Sequence, residues 1–65
     1  MNNLTIYDLI QHFTPDISVE IYTQDECKFI KESSVAGIGL STDKWYRETI
    51  VQSWLVYGSY VRIWV

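Results

Sequence analysis

The chain has 65 residues, five of them Lys or Arg and eight Asp or Glu, for a net charge of −3. That length holds one small domain, 1–65, and such a domain buries only about 60% of its unfolded surface, so it needs a staple or unusually dense packing. A single Cys excludes an internal disulfide, one Cys with one His excludes a Cys/His zinc cage, and an acidic balance argues against direct nucleic-acid binding.

Three Trp, five Tyr and two Phe supply dense aromatic packing and point to self-association. Residues 1–15 lack the basic start and continuous apolar run of a signal peptide, and no window approaches the ~20 apolar residues of a membrane span. With Cys27 free, the expected location is a reducing cytoplasm, without a membrane partner.

Residues 5–13 are predicted to form a helix. Thr5 is a good N-cap and Asp8 stands at N3, which approximates a capping box and complements the positive end of the helix dipole. Leu4 and Leu9 occupy staple positions, and Ile6, Leu9, Ile10 and Phe13 make one apolar stripe. Thr14-Pro15 ends the helix, because the residue before proline is pushed out of the α region. His12 lies off the stripe and reads as a solvated side chain near the helix C-terminus.

Ile17–Tyr22 alternates: Ile17, Val19 and Ile21 point one way, and Ser18, Glu20 and Tyr22 the other. Residues 23–26 read as a turn and Cys27–Lys31 as a return strand. Cys27 reads as a small strand residue, since no cation beyond Lys28 and Lys31 stands near in sequence to activate a thiolate. Asp16, Glu20, Asp25, Glu26 and Glu32 cluster about this hairpin, as a solvated face or an acidic patch for a basic protein.

Residues 33–40 form a small, glycine-bearing stretch. Gly37-Ile38-Gly39 lacks the third glycine and the Lys-Ser/Thr ending of phosphate loops. Ser41 or Thr42 is expected to cap a short helical turn through Asp43–Tyr46, with Trp45 closing one end of the core.

Glu48–Val65 carries the strongest local signal. Ile50–Tyr57 and Tyr60–Val65 are rich in β-branched and aromatic residues, and Gly58-Ser59 fits a two-residue turn with positive φ at the glycine. That turn sets Tyr57 opposite Tyr60, Val56 opposite Val61, Leu55 opposite Arg62, Trp54 opposite Ile63 and Ser53 opposite Trp64. Alternation puts Ile50, Trp54, Val56, Val61, Ile63 and Val65 on the expected core face. The other face carries Val51, Leu55, Tyr57, Tyr60 and Trp64 with Thr49, Ser53 and Arg62. Aromatics around an Arg are enriched at interfaces, so this row is either a contact surface or covered by another part of the chain.

Catalysis by nucleophile, base and orienter needs groups that converge. One His, one Cys and scattered carboxylates in so short a chain predict a protein that is not an enzyme and needs no cofactor or metal.

The helix Thr5-Ile6-Tyr7-Asp8-Leu9-Ile10, the segment Val19-Glu20-Ile21-Tyr22 and the terminal strand Tyr60–Val65 resemble, in type and order, short accessory proteins of bacteriophages and mobile elements of Gram-positive bacteria. The Trp and Tyr load of the last hairpin exceeds that pattern. The resemblance implies an anti-defence protein that occupies a host protein, as anti-CRISPR inhibitors do, or that sequesters a signalling nucleotide. It carries over no site residue.

The expected fold is α+β: an N-terminal helix on a roughly four-stranded antiparallel sheet, made of two hairpins joined by a short helical turn. The expected function is non-catalytic protein binding, with a defence nuclease occluded sterically. Leu55, Tyr57, Tyr60, Arg62 and Trp64 are the primary contacts, and Glu20, Asp25 and Glu26 a secondary one. The alternatives are a homo-oligomeric nucleotide sponge, with Arg62 on phosphate and aromatics on bases, or an assembly protein.

Overall fold

The structure, a computed structural model, describes residues 4–65. Helix α1 spans Ile6–Ile10, and its start is the predicted one: the Asp8 backbone N–H donates to Thr5 Oγ1 at 3.1 Å. It is shorter than 5–13. The N–H groups of Gln11, His12 and Phe13 reach back only three residues, to Asp8, Leu9 and Ile10, so the chain tightens and leaves the helix before Pro15. Ile6, Leu9 and Ile10 are buried, and Phe13 packs on them half-buried.

Strand β1 is Ser18–Tyr22 and β2 is Phe29–Ser34. The return strand thus begins two residues later than Cys27 and runs three past Lys31. Cys27 itself has φ +53°, a left-handed conformation that belongs to the turn and cannot continue a strand. The register slips at Ile30: Ile21 faces Lys31 while Tyr22 faces Phe29.

The glycine-bearing stretch folds as a second helix, α2, Val35–Leu40. Ser34 caps it by accepting the Gly37 N–H at 2.9 Å, and Val35 and Ile38, three apart, supply its buried stripe. A Cβ at position 37 would stand 3.0 Å from both the Ser33 and Ser34 Oγ atoms, so the glycine admits the cap. Helix α3, Trp45–Glu48, follows two staggered side-chain bonds, Asp43 N–H to Ser41 Oγ and Trp45 N–H to Asp43 Oδ1. Tyr46 is buried and Trp45 packs against the core at half burial. Lys31 Nζ sits 4.7 Å above the Trp45 ring and 3.8 Å from Asp43 Oδ2.

Strands β3, Ser53–Tyr57, and β4, Tyr60–Trp64, form the C-terminal hairpin in the predicted register at all five pairs, turning on Gly58 at φ +28°. The sheet order is β2-β1-β4-β3. The two hairpins therefore meet through β1 and β4, which run parallel, with Val19 opposite Val61 and Ile21 opposite Ile63. This corrects the all-antiparallel expectation: the fold is α+β with a mixed four-stranded sheet. The joining segment is also longer than one helical turn. Residues 35–52 carry the chain from one sheet edge to the other through two helices, the length a parallel pairing requires.

One face of the sheet takes the helices. Val19, Ile21, Val61 and Ile63 are fully buried there against Ile6, Leu9, Ile10, Val35, Ile38 and Tyr46. The expected core row extends too far. Trp54 and Val56 point to the same side as Ile63 and Val61 but remain 43% and 56% exposed, because the helical layer stops short of the edge strand β3. Val51, assigned to the other face, is buried instead. Residues 50–51 precede β3 and pair with the N-terminal segment, through a Thr5–Ile50 bridge and a Val51 N–H to Leu4 C=O bond of 2.7 Å. Ile50 is half-buried in that bridge, and Val65 packs half-buried on the core.

The same chemical change at two facing positions isolates what the helices contribute. Val61→Ala should cost about 2 kcal/mol by leaving a hole under α1 and α2. Val56→Ala, its cross-strand neighbour, should cost less than about 1 kcal/mol. Urea midpoints at unchanged slope measure both, and equal losses would contradict the exposure of β3.

Candidate binding face

The side of the sheet away from the helices is lined by alternate residues of all four strands. Parallel pairing sets Ser18 beside Tyr60, Glu20 beside Arg62 and Tyr22 beside Trp64. The hairpin adds Leu55 opposite Arg62 and Tyr57 opposite Tyr60. All five primary contact residues predicted from sequence thus share one face. Leu55 is 55% exposed, and Tyr57, Tyr60, Arg62 and Trp64 are half-buried against one another.

Arg62 is the centre. Its Nε donates to Glu20 Oε1 at 3.1 Å and its Nη2 lies 3.1 Å from the same oxygen. The guanidinium carbon stands 5.0 Å from the Tyr22 ring centroid, 5.3 Å from Tyr57 and 5.8 Å from Tyr60. An ion pair this open adds little to stability, and the cation–π contacts around it are weak where water reaches them. Burial works against the Arg62 charge, but the Glu20 hydrogen bond and the neighbouring Tyr22 and Glu20 outweigh it and raise its pKa.

The rings hold each other. Tyr57 and Tyr60 stack at 4.9 Å and 15°, Tyr22 tilts against Trp64 at 6.2 Å, and Phe29 meets Tyr22 edge-on at 5.5 Å. Beyond Trp64 the β1–β2 turn bounds the face: Trp64 Nε1–H donates to Cys27 Sγ at 3.4 Å, and Ser53 Oγ donates to Gln24 Oε1 at 2.8 Å. A cleft of about 440 Å³ opens there between Cys27, Ser53, Leu55 and Trp64.

The acidic group predicted as one secondary contact divides. Glu20 joins the aromatic face, whereas Asp25 and Glu26 are exposed in the β1–β2 turn, where Asp25 Oδ1 accepts the Glu26 N–H. Tyr22 and Phe29 belong to the face and were not singled out from sequence. Tyr22 shares an alternation row with Glu20, and an acid and a base at matching offsets, Glu20 and Arg62, were the available clue that the two rows adjoin. His12 and Cys27 are both exposed.

Comparison with protein-family models, with characterised proteins and with solved structures finds no match to this chain.

The Tyr22 hydroxyl donates to Glu20 Oε1 at 3.4 Å. Burial raises its pKa above the ordinary value of 10.0; Arg62 opposes that rise, while Glu20 adds to it. Tyrosinate is thus harder to form in the fold than in the unfolded chain. The corresponding stability is fully present below the unfolded pKa and lost as pH climbs through the folded one. Ultraviolet titration should show Tyr22 ionising above the ordinary tyrosine value, and Glu20→Gln should bring that transition down. A Tyr22 transition that stays put in Glu20→Gln would refute the coupling.

Proposed function

We propose that the chain is a non-catalytic protein-binding module that works through the face centred on Arg62. One observation carries this reading: a pre-ordered aromatic row, with a paired Arg at its middle, lies on the side of the sheet where no described helix packs. Large, rigid rings lose little rotamer freedom on contact, and Trp, Tyr and Arg dominate the energetics of protein interfaces. Leu55, Tyr57, Tyr60, Arg62 and Trp64 are the main contacts, joined by Tyr22. Asp25 and Glu26 sit on the adjoining rim, where charges steer encounter more than they hold the complex.

The resemblance to phage accessory proteins would make the partner a bacterial defence nuclease, occluded sterically in a host cytoplasm. The nucleotide-sponge alternative fares worse on the geometry, because Glu20 already neutralises Arg62 and would repel a phosphate from it.

The double variant Tyr60→Ala and Trp64→Ala should abolish capture of a partner from host lysate, or weaken it by about 100-fold or more, while circular dichroism and the urea midpoint show a folded chain. Undiminished capture by a folded double variant would remove this face from consideration. A thermal-shift rise with nucleotides, lost in Arg62→Ala, would favour the sponge.

A further inference from the structure

The two edges of the sheet are built differently. Edge strand β2 carries Lys31 and Glu32 and is kinked by the register slip at Ile30. Charges and bulges are the usual means by which an edge is kept from pairing with another chain. Edge strand β3, Ser-Trp-Leu-Val-Tyr, has no charge, no proline and no bulge along its five pairs with β4. Its three middle residues, Trp54, Leu55 and Val56, are exposed on both faces of the sheet at once.

The hairpin decides which backbone groups this edge offers. Tyr57 and Tyr60 flank a two-residue turn, so they exchange both of their backbone hydrogen bonds. Alternation then turns the N–H and C=O of Ser53 and Leu55 toward β4, and those of Trp54 and Val56 away from the sheet. Outward donors and acceptors two residues apart, symmetric about Leu55, are the requirement for pairing with an identical strand across a two-fold axis.

We infer that the chain forms a symmetric dimer by antiparallel pairing of β3 with β3 of a second copy, centred on Leu55. In that register Trp54 faces Val56 of the copy and exchanges N–H···O=C bonds with it, while Leu55 faces Leu55. Trp54 and Val56, left uncovered by the helices, pack against their counterparts on the helical side of the sheet. Leu55 packs on the other side. The charge pattern favours a like partner. Two copies with a net charge of −3 each repel overall, yet this strand brings no charged side chain against its copy, and the nearest cation, Arg62, is neutralised by Glu20. The pairing joins two four-stranded sheets into one and sets two Arg62-centred faces side by side. It rests on the backbone groups of the edge and shares only Leu55 with the open face, so it stands whether or not that face binds another protein.

Sedimentation equilibrium of the full chain, from about 1 μM to 1 mM, should show a monomer–dimer equilibrium. Val56→Pro deletes an N–H that the monomer does not use and is tolerated on an edge strand. It should weaken dimerisation about tenfold or more, with an unchanged urea midpoint at concentrations low enough to dissociate the dimer. A covalent test covers the case in which that variant unfolds. Facing residues of a non-hydrogen-bonded pair lie about 4.5 Å apart at Cα, within disulfide reach. In a Cys27→Ser background, Leu55→Cys should therefore oxidise to a cross-linked dimer in a glutathione buffer, and Val56→Cys should do so far less. A monomer across the whole range, a folded Val56→Pro dimer of undiminished affinity, or equal cross-linking at 55 and 56 would each overturn the inference.

Discussion

Everything in this domain depends on the parallel contact of β1 with β4. Val19, Ile21, Val61 and Ile63 come together there, all fully buried, and no other part of the sheet is so completely removed from water. On the reverse side the same register lays Glu20 against Arg62 and Tyr22 against Trp64. One strand pairing therefore builds the core on one side and the candidate contact surface on the other. A one-residue slip would exchange the two, placing a Glu and an Arg under the helices, at the cost of burying charge.

The helical layer is small for the sheet it serves. α1, α2 and α3 together cover the central strands and stop before β3. Cations trim the margins of this layer: Lys31 caps Trp45 and Tyr46, and Arg47 lies 4.4 Å from the Tyr7 ring. Such contacts shield ring faces that a chain this short cannot enclose. The outcome is a well-sealed centre with two apolar surfaces outside it, the aromatic face and the β3 edge. For a small domain without a disulfide, buried area gained by association is a natural supplement to buried area gained by folding.

Local chemistry was legible in the sequence, and non-local geometry was not. The Thr5 cap, the Gly58 turn and the five-pair register of the last hairpin depend on residues close in sequence, and each is found where turn and capping rules place it. Alternation also located the row Leu55, Tyr57, Tyr60, Arg62 and Trp64. It could not tell whether Trp54 and Val56 would be covered, because cover comes from elements distant in the chain. It could not decide the orientation of β1 against β4 either, since an alternating strand serves a parallel or an antiparallel neighbour equally well. The α2 helix was hidden by its glycines, whose low helix propensity is overridden by a Ser34 cap and two buried residues, Val35 and Ile38.

The long crossover sets an order of events. Each hairpin closes over a handful of residues and can form within about 1–10 μs. The Glu20–Arg62 contact spans 42 residues, and loops of that length close at a substantial entropic cost before any burial repays it. The central pairing is therefore the late step, and until it happens each hairpin holds an uncovered apolar row. Half of this domain has no core of its own, so cooperativity here is a matter of topology, and an intermediate with one hairpin docked on the helices would leave Val19 and Ile21, or Val61 and Ile63, facing water.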